Sequence, residues 1–147
     1  RVIEAHLIRR AAENPNPQLR AALSGHMCEE HAARTSGDIS AVIKKCGKYH
    51  QVLADQADSP IMARFARELI ARSSLIVAIF EPKPPEDCEL EEHKLLTDLL
   101  FAGKADQAAA LMEKHLLGIE GRLDFSKSEQ GPKDLRHSIL GGYSGNT

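Results

Sequence analysis

Three of the seven histidines, His50, His93 and His115, fall where their side chains are able to meet, and a cysteine stands one helical turn before the first of them. Ile39, Val42, Ile43, Cys46, Tyr49, His50 and Leu53 recur at the i, i+3, i+4, i+7 spacing of a core-facing helical stripe, so Cys46 and His50 project from one face toward one point. His93 shares a face with Leu96 and Leu100, and His115 continues the series Ala108, Met112, His115, Ile119. A tight turn at Gly103 separates these two segments, with Lys104 midway between the two histidines. Each histidine is then roughly 15 Å of helix from the turn, at about 1.5 Å per residue, and an antiparallel pair brings them level. Burying several imidazoles among apolar side chains is costly unless each nitrogen finds a partner, and one divalent cation satisfies several at once. Neutral imidazoles with an anionic ligand suit zinc best; nickel, cobalt, iron and manganese are also compatible. The plainer alternative is that each is a core histidine bonded to a backbone carbonyl.

The elements that must position these residues are helices. Turn chemistry recurs at Asn14-Pro15-Asn16-Pro17, Thr35-Ser36-Gly37, Asp58-Ser59-Pro60, Pro82-Lys83-Pro84-Pro85 and Gly103. The intervening stretches predict six helices, over Val2 to Glu13, Pro17 to Arg34, Asp38 to Gln56, Pro60 to Phe80, Glu86 to Ala102 and Ala105 to Asp124. Asp38 and Ser59 are suitable N-caps, and Pro60 fits the first helical position, where no N–H partner is needed. Strand alternation is absent and alanine is abundant, so the expected fold is all-α, an antiparallel six-helix bundle spanning residues 1–124. From residue 125 to 147 the Gly-, Ser- and Lys-rich sequence reads as a loose tail.

A chain of 147 residues with 42% hydrophobic content has material for one core. The formal net charge of −2, with both signs interspersed, provides no basic patch for phosphates, so this segment is not expected to grip DNA itself. Three widely spaced cysteines, Cys28, Cys46 and Cys88, make no disulfide framework and suit a reducing compartment, and no apolar run reaches the length of a membrane span. The reading is a cytoplasmic protein. Arg1 already lies inside an apolar-patterned run, which suggests that further sequence precedes it.

The ordered set Tyr49-His50, Asp58-Ser59-Pro60, Glu92-His93, Ala102-Gly103 and His115-Leu116 resembles the FCD domain, the C-terminal domain of the FadR subfamily of GntR transcription regulators, from about Val2 to Leu123. The resemblance implies that His50, His93 and His115 hold a metal inside a helical bundle, whose open positions accept a small carboxylate effector. It further implies a homodimer, and a winged helix-turn-helix domain upstream that contacts operator DNA. The family's fourth ligand is an aspartate where this chain has Cys46. As a thiolate, Cys46 is a competent zinc ligand; as a thiol it is a small buried hydrophobe, and both readings stand. Ser59 replaces the asparagine common at that helix start. Arg72, in Arg72-Ser73-Ser74, is a candidate bidentate clamp for a second carboxylate of the effector. Arg9, Arg10, Lys44 and Lys45 read as exposed charges, His6, His26, His31 and His137 as surface histidines, and Cys28 and Cys88 as residues without a role.

Two other classes compete with this reading. Three histidines around an open position also hold catalytic zinc, which makes a metal-dependent hydrolase conceivable. It lacks an HExxH motif, and its one candidate base, Glu92, is expected to point away because neighbouring helical side chains diverge by about 100°. A helical interaction domain without metal is the second.

Overall fold

The structure, a computed structural model, describes residues 1–82 and 88–126. Residues 83–87, most of the expected tail and His137 lie outside the described residues, as does the side chain of Cys88. Among the described residues six helices follow in order: α1 (Val2–Glu13), α2 (Pro17–Ser36), α3 (Ile39–Ala54), α4 (Pro60–Phe80), α5 (Cys88–Phe101) and α6 (Ala105–Gly121). There is no strand among the described residues.

The helix ends follow from local chemistry. Asn16 caps α2 by accepting the Leu19 N–H at 2.7 Å, with Pro17 at the first position. Asp38 caps α3 through the Ala41 N–H at 3.0 Å, and Ser59 caps α4 more loosely through the Met62 N–H at 3.5 Å, ahead of Pro60. α2 continues through Thr35 and Ser36, two residues further than the sequence suggested, because only Gly37 leaves the helix, at φ 72°. The α5–α6 turn is a Schellman closure: Gly103, at φ 68°, donates to the Leu100 carbonyl, and Lys104 donates to that of Leu99. α6 stops at Gly121 rather than at Asp124.

The apolar stripes assemble into one main core of Ile8, Leu19, Leu23, Tyr49, Leu53, Leu96, Leu100 and Met112, with the small residues Ala5, Ala12, Ala108 and Ala109 at the crossings. Leu7, Ala54, Ala66 and Ile70 form a smaller cluster beside it. α1 lies along α6, α2 along α3, α3 along α4 and α5 along α6, while α1 also touches α3 and α5, and α2 touches α5. Accordingly α3, α5 and α6 all border the same interior, the arrangement that a shared histidine site requires. α4 stands at the margin: its Ala63, Ala66 and Ile70 face inward, whereas Ile61, Phe65, Leu75 and Ile79 are exposed. Its C-terminal end is tied down, since Asp124 N–H donates to the Phe80 carbonyl at 2.9 Å and Phe125 rests against the Phe80 ring. No helix among the described residues is long and apolar enough to cross a membrane.

Candidate metal centre

His50 on α3, His93 on α5 and His115 on α6 meet in the interior, 6%, 0% and 1% exposed. One ring nitrogen from each lies within 4.8 Å of the other two. The rings crowd together, with centroids 5.4 Å apart for His50–His93 and His50–His115 and 4.9 Å for His93–His115. The level heights expected on either side of Gly103 are therefore present.

Each of the three rings is backed by its own carboxylate, and each carboxylate acts on Nδ1. Glu4 of α1 places Oε2 2.5 Å from Nδ1 of His50. Glu30 of α2 accepts from Nδ1 of His93 at 2.8 Å, and Glu92 of α5 accepts from Nδ1 of His115 at 2.7 Å. An ionised carboxylate only accepts, so in His93 and His115 the ring proton belongs on Nδ1 and the lone pair on Nε2, while Glu4 meets His50 as an ion-pair contact. In His93 that Nε2 is buried and has no hydrogen-bond partner. A buried lone pair without a donor is costly to keep, and a ring whose other nitrogen donates to a carboxylate is the usual form of a metal-bound histidine. The donor set fits a divalent cation.

Glu30 is the most heavily engaged of these acids. It is fully buried, takes a hydrogen bond from Arg34 at 3.1 Å, and has Nε2 of His26 3.6 Å away. Burial alone would favour its neutral form, yet His26, His93 and Arg34 outweigh that effect and hold its carboxyl well below the usual range. Glu4 behaves alike: burial works against the charge, and His50 beside it lowers the pKa overall. Burial pushes His93 down to about 4, against the pull of Glu30, so it is neutral at physiological pH. Tyr49 fixes His93 from the other side, stacked on it at 4.1 Å and 9° with its hydroxyl 3.2 Å from Thr97 Oγ1.

Beside His50 an inner cavity of about 80 Å³ opens between α3, α4 and α6. Glu4 and His50 form its wall toward the histidine cluster, and Ser73 and Ser74 of α4 line it opposite Gly47. It adjoins a wider outer cavity of about 510 Å³, which shares Glu4, Ser73, Val77, Leu116 and Ile119.

The sequence model of the FCD domain matches residues 1–118, most of the chain. The chain belongs to the FCD family. FCD is the C-terminal domain of FadR-type regulators in the GntR family. No curated protein and no solved structure matches the chain.

Against the FCD pattern, the three histidines come together as expected, and Cys46 is placed differently. Its thiol lies 3.4 Å from Glu30 Oε1 and 3.5 Å from an Arg34 nitrogen, on the inner cavity wall, and the group of donors that closes within 4.8 Å comprises the histidines alone among the described residues. Arg72 does not reach the cavity: its side chain is 72% exposed and paired with Glu68 one turn earlier. His26, expected on the surface, is only 5% exposed, because Leu19, Leu23, His26, Glu30 and Ala33 form the buried stripe of α2. Glu92 does not point away from the site. A 100° offset from His93 aims it at α6, where it holds His115. Glu4 and Glu30 were not singled out by the sequence reading, although both sit on buried stripes, Glu4 one turn before Ile8 and Glu30 one turn after His26.

Proposed function

We propose that this FCD domain is the effector-sensing part of a GntR-type transcription regulator, holding a divalent metal, most consistently zinc, on Nε2 of His50, His93 and His115. The observation that carries this reading is the set of three buried imidazoles whose Nδ1 atoms are each turned to a separate carboxylate, Glu4, Glu30 or Glu92. Bound there, such a metal supplies a positively charged position for the carboxylate of a small organic acid. The protein's own contribution is orientation and exclusion of water. Glu4, Glu30 and Glu92 set the tautomer and angle of each ring, and Tyr49 clamps His93.

Binding, not turnover, is the proposed activity. Glu92, the residue that a hydrolase would need as base, is occupied with His115. The intact regulator is proposed to act in the cytoplasm as a homodimer, with operator DNA contacted by a winged helix-turn-helix domain elsewhere in the protein. Cys46 borders the cavity next to His50, so a role in tuning the bound ligand is compatible with this reading alongside direct ligation.

The test is elemental analysis of protein purified without chelator or a nickel column. About one metal ion per chain is expected, and none after His93→Ala. Metal-free wild-type protein, or an unchanged metal content in the variant, would overturn the reading.

A further inference from the structure

The inner cavity carries information about the effector that the metal alone does not. Its walls are Val42, Ile43, Ile70, Val77, Leu116 and Ile119. The polar groups among them are Ser73, Ser74 and Cys46, and the charged ones are two acids, Glu4 and Glu81. No lysine or arginine lines it among the described residues. Of the bases beside this wall, Arg122 is engaged by Glu81 and Arg34, which reaches the Cys46 thiol, is engaged by Glu30, while Arg72 is outside in solvent. We infer, resting on the metal reading above, that the effector is a single carboxylate carried on a short apolar body, in preference to a dicarboxylate or a sugar acid.

The reasoning is one of compensation. A first carboxylate placed at the His50 end meets the centre at which the three histidines would hold the metal. A second carboxylate further along the same molecule enters an apolar slot whose fixed charges are of its own sign. Taking that charge out of water without a cation is strongly unfavourable. A chain of hydroxyls fares little better, because two serines are all that the walls provide for hydrogen bonding apart from the thiol and the acids. Methylene groups, by contrast, gain from leaving water for walls of Val, Ile and Leu.

Size points the same way. A cavity of about 80 Å³ holds on the order of five to eight water-sized groups, taking roughly 10–15 Å³ for each. With two of those places taken by the carboxylate oxygens, that is an acid of about three to six carbons. Longer tails extend into the outer cavity past Ser73, Val77 and Ile119, toward Ile76 and Leu123, where the one cation on the wall, Arg1, is already paired with Glu120. Ser73 borders both cavities, so a basic side chain there would supply the cation that the slot lacks.

The experiment uses the full chain loaded with zinc, its metal content measured first, and calorimetric titration with hexanoate, hexanedioate and gluconate. Hexanoate and hexanedioate differ by one terminal carboxylate. Hexanoate is expected to bind roughly tenfold or more tightly than either competitor, the least that an uncompensated buried charge should cost. Ser73→Arg is expected to reverse the order of hexanoate and hexanedioate while retaining zinc. Ile119→Ala, a milder change, is expected to move the preferred chain length from hexanoate toward octanoate. Zinc-loaded wild-type protein that prefers hexanedioate or gluconate overturns this inference and leaves the metal centre standing. Protein that takes up no zinc overturns both.

Discussion

Glu92 and Glu30 perform the same task on neighbouring rings, but their surroundings make them respond differently to the same change. The Glu92 side chain is 25% exposed and its recorded partner is His115 Nδ1, so Glu92→Gln leaves a group that water can reach. The fold should survive, while metal affinity should fall about 10- to 100-fold because the ring loses its anionic anchor; competition against a chromogenic chelator measures it. Glu30 is fully buried between His93 and Arg34, and His26 is close by. Glu30→Gln leaves the Arg34 charge poorly answered, and the expected outcome is a loss of several kcal/mol of stability in denaturant unfolding, of the size seen when one partner of a buried pair is removed. Retention of full stability by that variant would show the network to be dispensable. The histidines were legible in the sequence because imidazoles on apolar stripes are conspicuous. Glu4 and Glu30 were not, since a carboxylate on a helix is ordinarily a solvated residue and its burial depends on which helix packs opposite. The position of Arg72 was hidden for a related reason: its face of α4 could be read only once the direction of α3 was known, and a glutamate four residues earlier offered it a partner in solvent.

The helices themselves follow from capping residues that the sequence displays openly. Asn16 is the strongest case, for it accepts the Leu19 N–H through Oδ1 while its Nδ2 donates to Gln56 Oε1 at 3.1 Å, just past the end of α3. Asn16→Ala removes a cap and a tie between two elements. A loss of about 1–2 kcal/mol is expected, or roughly 3–10 °C in midpoint, with metal content unchanged; thermal unfolding followed by circular dichroism checks both parts when paired with elemental analysis. Ser59→Ala should cost less, near the low end of the same range, because the Ser59 bond to Met62 is 3.5 Å long. The bounds of α1 and α4 were readable in full, since proline, asparagine and serine mark their ends. Those of α2, α3 and α6 were not, α3 ending at Ala54 and not at Gln56. Thr35 and Ser36 look like turn residues, yet each turns its hydroxyl back onto a carbonyl of the preceding turn, of His31 and Ala33, and stays in the helix until Gly37 supplies the positive φ. α6 ends at Gly121 because the chain there turns to meet α4, through Arg122 with Glu81 and Asp124 with Phe80, a long-range docking that no local signal announces.

At the level of the whole molecule the metal and the fold should be one thermodynamic system, since the three proposed ligands arrive from three helices and have no reason to converge in the unfolded chain. Removing metal with EDTA is expected to lower the unfolding midpoint, zinc to restore it, and His93→Ala to abolish the difference. α4 then ties this centre to the proposed dimer. One side of it lines the inner cavity with Ile70, Ser73, Ser74 and Val77, while Ile61, Phe65 and Leu69 recur along its outer side at 82%, 50% and 38% exposure. An apolar stripe of that length, on a helix packed mainly against α3, is the face that the proposed dimer would use. A second copy of the same chain meeting it about a two-fold axis would bury the stripe against itself. A ligand that shifts α4 from within would then shift the partner from without, and by linkage the partner would alter ligand affinity by the same factor. Phe65→Glu, a charge in the middle of the stripe, is therefore expected to convert dimer to monomer in sedimentation velocity, to leave zinc content intact, and to change hexanoate affinity although Phe65 is not among the cavity-lining residues. A wild-type chain that sediments as a monomer at micromolar concentration removes the dimer, and a monomeric variant with unaltered hexanoate affinity removes the coupling through α4.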